Sequence, residues 1–214
     1  MSHNSNAPIA PELLAKIRAS LSGLQTHGAM LYESKGQTIN RFQVDCLDLF
    51  TKSYPLETIQ QKVAALFRHS RAERSFRAGL RFLQAGIATP RPILLSRTRA
   101  EHVLVTEFRP HKALLEFLVD GVELQPSVPS NILALLHQLS AIKYTHGDFH
   151  ARNLLIDPEG TPHLIDLDAA RGLAGKASIL RDRDRLLRSI KPLPKYFDAF
   201  EKVLGTSGAN LPKK

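Results

Sequence analysis

Three polar residues in the second half of the chain have the types and spacing of a phosphoryl-transfer site: Asp148, Asn153 five residues on, and Asp166 thirteen further. Phosphoryl transfer asks a protein for metal ligands, an oriented acceptor hydroxyl and neutralised phosphate charge, with little covalent chemistry. Magnesium prefers hard oxygen ligands, which aspartate and the asparagine amide both offer. A loop carrying Asp148 and Asn153 beside a strand-end Asp166 therefore supplies one base and two metal ligands. Taken singly, the first two would read as an Asx-rich turn and the third as a solvated strand end; the combination points to chemistry.

These residues need a scaffold. Residues 130–144 place Ile132, Leu133, Leu135, Leu136, Leu139 and Ile142 on a helical stripe running directly into HGDFHARN. Beyond it, NLLID and HLIDLD are short apolar runs about the turn Pro158-Glu159-Gly160, predicting two strands that set Asp148, Asn153 and Asp166 at neighbouring ends. KALLEFLV reads as a helix ending at Asp120-Gly121, and residues 178–189 and 195–204 read as two more. Earlier in the chain, residues 11–22 place Leu13, Leu14, Ile17 and Leu21 on one helical face behind Pro11. The runs AMLYES, TINRFQV and CLDLFTKSY predict an antiparallel meander with Lys52 at the end of its third strand. Residues 58–85 carry a helical pattern stopped by Gly86 and the TPRP exit. PILLS and HVLVTEF complete a five-stranded sheet with one long helix. The fold class is α+β: a helical extension over 1–22, a β-rich first lobe over 23–110 and a small, mostly helical second lobe over 111–214.

HGDFHARNLLID with HLIDLD resembles the catalytic loop and metal-binding motif of protein-kinase-like enzymes. In particular, the chain resembles the bacterial lipopolysaccharide kinases that phosphorylate heptose or 3-deoxy-octulosonate of the inner core. SRAERSFRAGLRFLQAGIATPRP is the second shared feature, and the resemblance spans roughly residues 40–190. It implies a bilobal protein-kinase-like fold that takes ATP and Mg2+. Asp148 is then similar to the base accepting the acceptor hydroxyl's proton, Asn153 to a magnesium ligand, and Asp166 to the aspartate bridging metal and phosphates. Lys52 is similar to the strand lysine on the α- and β-phosphates. Backbone groups of Glu107 and Phe108 would meet the adenine.

Glu73 is the only acid between residues 58 and 100, so it alone on its helix can partner Lys52, although the family's register would put that glutamate near Arg77. The reading stays open between a lysine partner and a surface acid. Other departures stand out. Only Gly36 marks the first strand turn, where protein kinases carry several glycines, and Gly147 stands where they often have an arginine. No Ala-Pro-Glu segment follows Asp166, which makes a small molecule or glycolipid a better acceptor than a protein. Asp168 would share Asp166's side of an extended strand, as a second ligand or, preferably, a partner of Arg171. His146 and His150 have a zinc pair's spacing, but the intervening loop favours a structural His146 and a solvated His150.

Composition agrees with an enzyme at a polyanionic surface. Among 214 residues, 43% are hydrophobic, enough for a sizeable core. Cys46 is alone, and the polar first twelve residues lack a signal peptide's layout, so a cytoplasmic protein is expected. The net charge of +9 is concentrated: residues 68–99 hold eight arginines against Glu73, and residues 171–214 hold eleven Lys or Arg against four acids. Such asymmetry favours polyanionic partners: nucleic acid, an anionic membrane surface or a phosphorylated substrate, the membrane being, by the family resemblance, the inner face of the cytoplasmic membrane. Nucleic acid is disfavoured, since no zinc spacing, aromatic platform or helix-turn-helix accompanies the charge. The acceptor expected is a lipopolysaccharide core or another sugar-containing molecule. Aminoglycoside- or choline-type phosphotransfer, a protein kinase, and a non-catalytic basic binding module are the alternatives.

Overall fold

The computed structural model describes residues 9–21, 29–34 (backbone only), 37–56, 58 and 70–205, arranged in two compact units. The first unit combines Met1–Leu80 with Pro90–Arg109, and the second combines Arg81–Thr89 with Pro110–Lys214.

In the first unit, β1 (Ala29–Ser34), β2 (Gln37–Val44), β3 (Leu47–Pro55), β4 (Pro92–Arg97) and β5 (Glu101–Glu107) form one antiparallel sheet in the order β1-β2-β3-β5-β4. Alternation gives the sheet two apolar faces. On one, Leu49 and Val105 join Phe42, Val44, Ile93 and Leu94 beneath Ile17 of α1 (Pro11–Leu21), with Leu13, Leu14 and Leu21 packed alongside. On the other, Tyr54 and Leu104 meet Ala72 and Phe76 of α2 (Arg71–Gln84). Lys52 pairs with Leu104 and lies two residues from Tyr54, so it belongs to the face that α2 covers. It sits within β3, not at its end. The expected helix over 58–85 is seen from Arg71; residues 59–69, like the turn at Gly36, lie outside the described residues.

α2 stops where glycine permits it to. Gly86 takes φ +73, and the Ile87 N–H reaches back to the Phe82 carbonyl at 2.9 Å, closing the helix with a left-handed residue. The TPRP exit is then tied into the second unit: Leu164 N–H donates to Ala88 O at 2.9 Å, and the Thr89 hydroxyl donates to Leu164 O at 2.7 Å. Phe82 meets the Tyr144 ring edge-on at 5.6 Å.

The second unit contains α3 (Leu114–Val119), α4 (Val128–Ala141), α5 (Lys176–Ile190), α6 (Pro194–Gly205) and a small sheet of β6 (Lys112–Ala113), β7 (Leu154–Ile156) and β8 (Pro162–Leu164). β6 corrects the expectation that KALLEFLV is helical throughout: Lys112 and Ala113 pair with Ile156 and Leu155, and the helix begins only at Leu114. The strand supplies β7 with a hydrogen-bonding partner that a helix could not. The α4 stripe of Ile132, Leu135, Leu136 and Leu139 is buried with Phe149, Leu154, Leu164, Leu186 and Phe200 of the same unit.

Ile17 is fully buried in the cluster joining α1 to the sheet. Ile17→Ala is expected to lower unfolding free energy by about 2–5 kcal/mol in urea titrations. A change below about 0.5 kcal/mol would show that α1 is not part of the sheet's core.

Candidate active site

Asp148 lies in a loop fastened at several points within the second unit. The Asn153 side-chain amide donates to the Asp148 carbonyl at 2.9 Å and to its Oδ2 at 3.1 Å, so the asparagine both shapes the loop and aims the carboxylate. Asp148 Oδ1 lies 2.9 Å from His150 Nε2. His150 keeps much of its ring in solvent, as expected, and is in addition a direct partner of the candidate base. Both amide hydrogens of Asn153 point to Asp148, which leaves its oxygen free to accept.

His146 is completely buried and uses both ring nitrogens. Asp148 N–H donates to Nδ1 at 3.2 Å, and Nε2 lies 2.9 Å from the Ile165 carbonyl. An accepting Nδ1 and a donating Nε2–H define the neutral tautomer. Burial pushes the His146 pKa down, prevailing over the Ile165 carbonyl and the carboxylates of Asp182, Asp166 and Asp148, which favour the charged ring. With both nitrogens engaged, the ring is a brace between the Asp148 loop and the residue before Asp166. Among the described residues, no group of three or more His, Cys, Asp or Glu side chains is placed to hold a metal.

The backbone at Asp166 departs from expectation. Asp166 adopts a left-handed conformation, φ 57 and ψ 57, and a 3₁₀ turn, Leu167–Ala169, follows. The strand has ended, so Asp168 does not repeat Asp166's direction; it is buried one step into the turn. Non-glycine residues in this conformation are uncommon, with aspartate among the more tolerant. The turn comes so close to Gly147, itself at φ +80, that a Cβ there would overlap the Ala169 carbonyl. An arginine at 147 could not be accommodated.

Sequence reasoning missed the residue that holds this loop. Asp182 is fully buried on α5, and its carboxylate accepts from the Thr145 hydroxyl, from His146 N–H at 2.8 Å and from Gly147 N–H at 3.1 Å, with Arg185 also at 3.4 Å. Two turns later, Ser189 Oγ accepts from Ala151 N–H at 3.1 Å. The signal was present: Asp182 occupies a step of the stripe Ile179, Leu186, Ile190 that apolar residues should fill.

The remaining expected residues lie in the first unit. Glu73 is 7% exposed and ion-paired with Arg77 at 2.8 Å and Arg97 at 3.3 Å, so it is not a surface acid. Lys52 Nζ lies 5.3 Å from the centroid of the Tyr54 ring. The Glu107 N–H donates to Arg91 O and the Phe108 N–H to Asp48 O, both at 2.9 Å. These two amides are taken up by the sheet. The Glu107 carboxylate is held by Arg109 at 3.0 Å and Arg91 at 3.8 Å.

Set beside known proteins, residues 22–203 match the lipopolysaccharide kinase (Kdo/WaaP) family. The chain belongs to that family. WbdD, in a co-crystal with the kinase inhibitor LY294002, superposes with a TM-score of 0.56 at 16% identity, over 86% of this family member and 46% of the WbdD chain. That likeness establishes the protein-kinase-like fold. Cysteine-rich receptor-like protein kinase 26 of Arabidopsis thaliana is 38% identical over 81 residues, 33% of this chain and 12% of the plant protein. The chain thus spans less than half the length of either protein.

Because His146 is held neutral, its folded pKa lies below the ordinary value near 6.5. Between those two values the unfolded chain binds the extra proton, so stability falls as pH falls, by about 1.4 kcal/mol per pH unit at the steepest. His146→Gln should flatten the urea-derived stability profile between pH 7 and 5. An identical slope in both proteins would contradict the neutral brace.

Proposed function

We propose that this protein is an ATP-dependent kinase that transfers the γ-phosphoryl group to a sugar hydroxyl of the lipopolysaccharide inner core, working at the inner face of the cytoplasmic membrane. The observation that carries the reading is the Asp148 loop: a carboxylate with one oxygen on the Asn153 amide and the other on His150, in a chain of the Kdo/WaaP family.

Asp148 is the base. Its carboxylate takes the acceptor hydroxyl's proton as the sugar oxygen bonds to the γ-phosphorus and the bond to the departing ADP oxygen breaks, the electron pair leaving with ADP. Asn153 and His150 keep the carboxylate from turning away from that hydroxyl. The free Asn153 amide oxygen and the Asp166 carboxylate are hard oxygen donors suited to magnesium, and they are the residues that would hold it. A bound magnesium ion would supply charge neutralisation at the phosphates. Lys52 contributes positive charge to the α- and β-phosphates, with Glu73, buried on the helix that covers its face of the sheet, orienting it. The carbonyls of Glu107 and Phe108 with the Arg109 N–H offer the adenine edge its hydrogen bonds.

Peripheral contact with an anionic membrane is supported by exposed Arg181, Arg188 and Lys191 on and after α5, and by Arg71 and Arg74 on α2. The basic stretch 181–191 contributes less than its composition promises. Arg183 is paired with Asp184 at 2.7 Å, and Arg185 is turned to the Gly147 carbonyl and Asp182. No helix among the described residues is long and apolar enough to cross a membrane.

The test is labelled-ATP transfer to core glycolipid, soluble sugars and protein side by side, with glycolipid expected to be preferred. Asp166→Ala should abolish magnesium-dependent ATP binding in calorimetry, whereas Asp148→Ala should bind ATP normally and lose transfer by at least about a hundredfold. Undiminished ATP binding by Asp166→Ala would sink the site assignment.

A further inference from the structure

The least buried large apolar side chain among the described residues is Leu173, 96% exposed, and its backbone stands at φ +57. Leucine is poorly suited to that conformation, which glycine would adopt at no steric cost, and glycines flank it at 172 and 175. Leu173 is nonetheless presented by a fastened loop. On one side, Arg171 and Thr145 exchange backbone hydrogen bonds at 3.0 and 3.1 Å; on the other, Ala174 N–H donates to Lys143 O at 2.8 Å. Between them, Gly172 lies against the Tyr144 ring, where a Cβ would sit 3.3 Å from Cε2. The backbone holds the leucine out into solvent.

The charges carried by the segments that form this loop are of one sign. Lys143, Arg171 and Lys176 are all exposed, and neither residues 139–147 nor residues 169–181 contain an acid. An apolar tip ringed by cations matches an anionic bilayer surface: the leucine enters the boundary between headgroups and acyl chains while the cations meet phosphates.

We propose that residues 171–176, with Lys143, form an interfacial anchor for an anionic lipid bilayer, with Leu173 as its inserting side chain. The proposal rests on the membrane-facing kinase reading for its purpose. The Thr145–Arg171 pairing joins the anchor to the segment that leads into Asp148, three residues on. Seating Leu173 in a bilayer thereby sets the candidate base at a fixed depth relative to a lipid-borne sugar.

The chain contains no tryptophan, so a Leu173→Trp variant carries a single reporter at the tip. Its emission should shift to the blue with phosphatidylglycerol vesicles and stay unchanged with phosphatidylcholine vesicles. Leu173→Gly, which relieves the backbone, should retain or raise the unfolding midpoint yet bind phosphatidylglycerol vesicles about tenfold more weakly. It should transfer phosphate to a deacylated, water-soluble core acceptor at the wild-type rate, and to the vesicle-borne acceptor more slowly by the factor lost in binding. Wild-type binding by Leu173→Gly, an unmoved emission in the bound Leu173→Trp variant, or no vesicle binding by the wild type would each overturn the anchor. Transfer to the soluble acceptor in any of those cases leaves the kinase reading standing. Leu173-dependent binding without transfer to any acceptor would uphold the anchor and remove the kinase reading.

Discussion

The second unit is organised around a carboxylate that has no contact with water. Asp182 would cost several kcal/mol to bury as an unpaired charge. Here the cost is offset by the Thr145 hydroxyl, two consecutive backbone amides and Arg185, all converging on one side chain. All but Arg185 lie immediately before Asp148. Satisfying the buried charge and shaping the loop are therefore the same event, and the loop cannot relax without leaving Asp182 uncompensated. Ser189, on the same helix, repeats the device at Ala151 with a neutral acceptor.

From that clamp the rest of the site follows by close approach. Gly147, held by Asp182 at its N–H, lies against the turn after Asp166, and His146 spans from Asp148 N–H to Ile165 O. The Ile165 N–H donates in turn to Asn153 O at 3.1 Å. The segments carrying the candidate base and the candidate metal ligands are thus cross-linked by short polar contacts and by a glycine with no room for a side chain. A neutral, buried imidazole suits this role better than a charged group: it donates and accepts in one plane without a second ion needing compensation.

What the sequence made legible was whatever rests on local spacing. The interval from Asp148 to Asn153, the stripe from Ile132 to Leu139 and the stop at Gly86 each follow from rules spanning a few residues, and the sheet and helices around them appear as expected. What escaped depends on residues far apart in the chain. β6 is two residues long and exists only because β7 offers it an edge. Asp166 is expected at a strand end, whereas β8 stops at Leu164 and Asp166 opens the following 3₁₀ turn with a left-handed backbone that no local rule announces. Nothing local shows that Asp148 turns toward His150. Asp182 is one of four acids in the basic stretch 171–214, and only its place within an apolar helical stripe hints at a buried role.

The central claim is that Asp182 positions Asp148, the candidate base, and does not merely stabilise the fold. The most direct measurement is steady-state transfer by Asp182→Asn, an isosteric change that presents an amide to the backbone donors, alongside its urea unfolding curve and its affinity for ATP. The account predicts a cooperatively folded protein whose affinity for ATP stays within a few-fold of wild type while kcat falls by about a hundredfold, the loss expected when a catalytic group is misplaced by about 1 Å. A folded Asp182→Asn protein with wild-type kcat would contradict it.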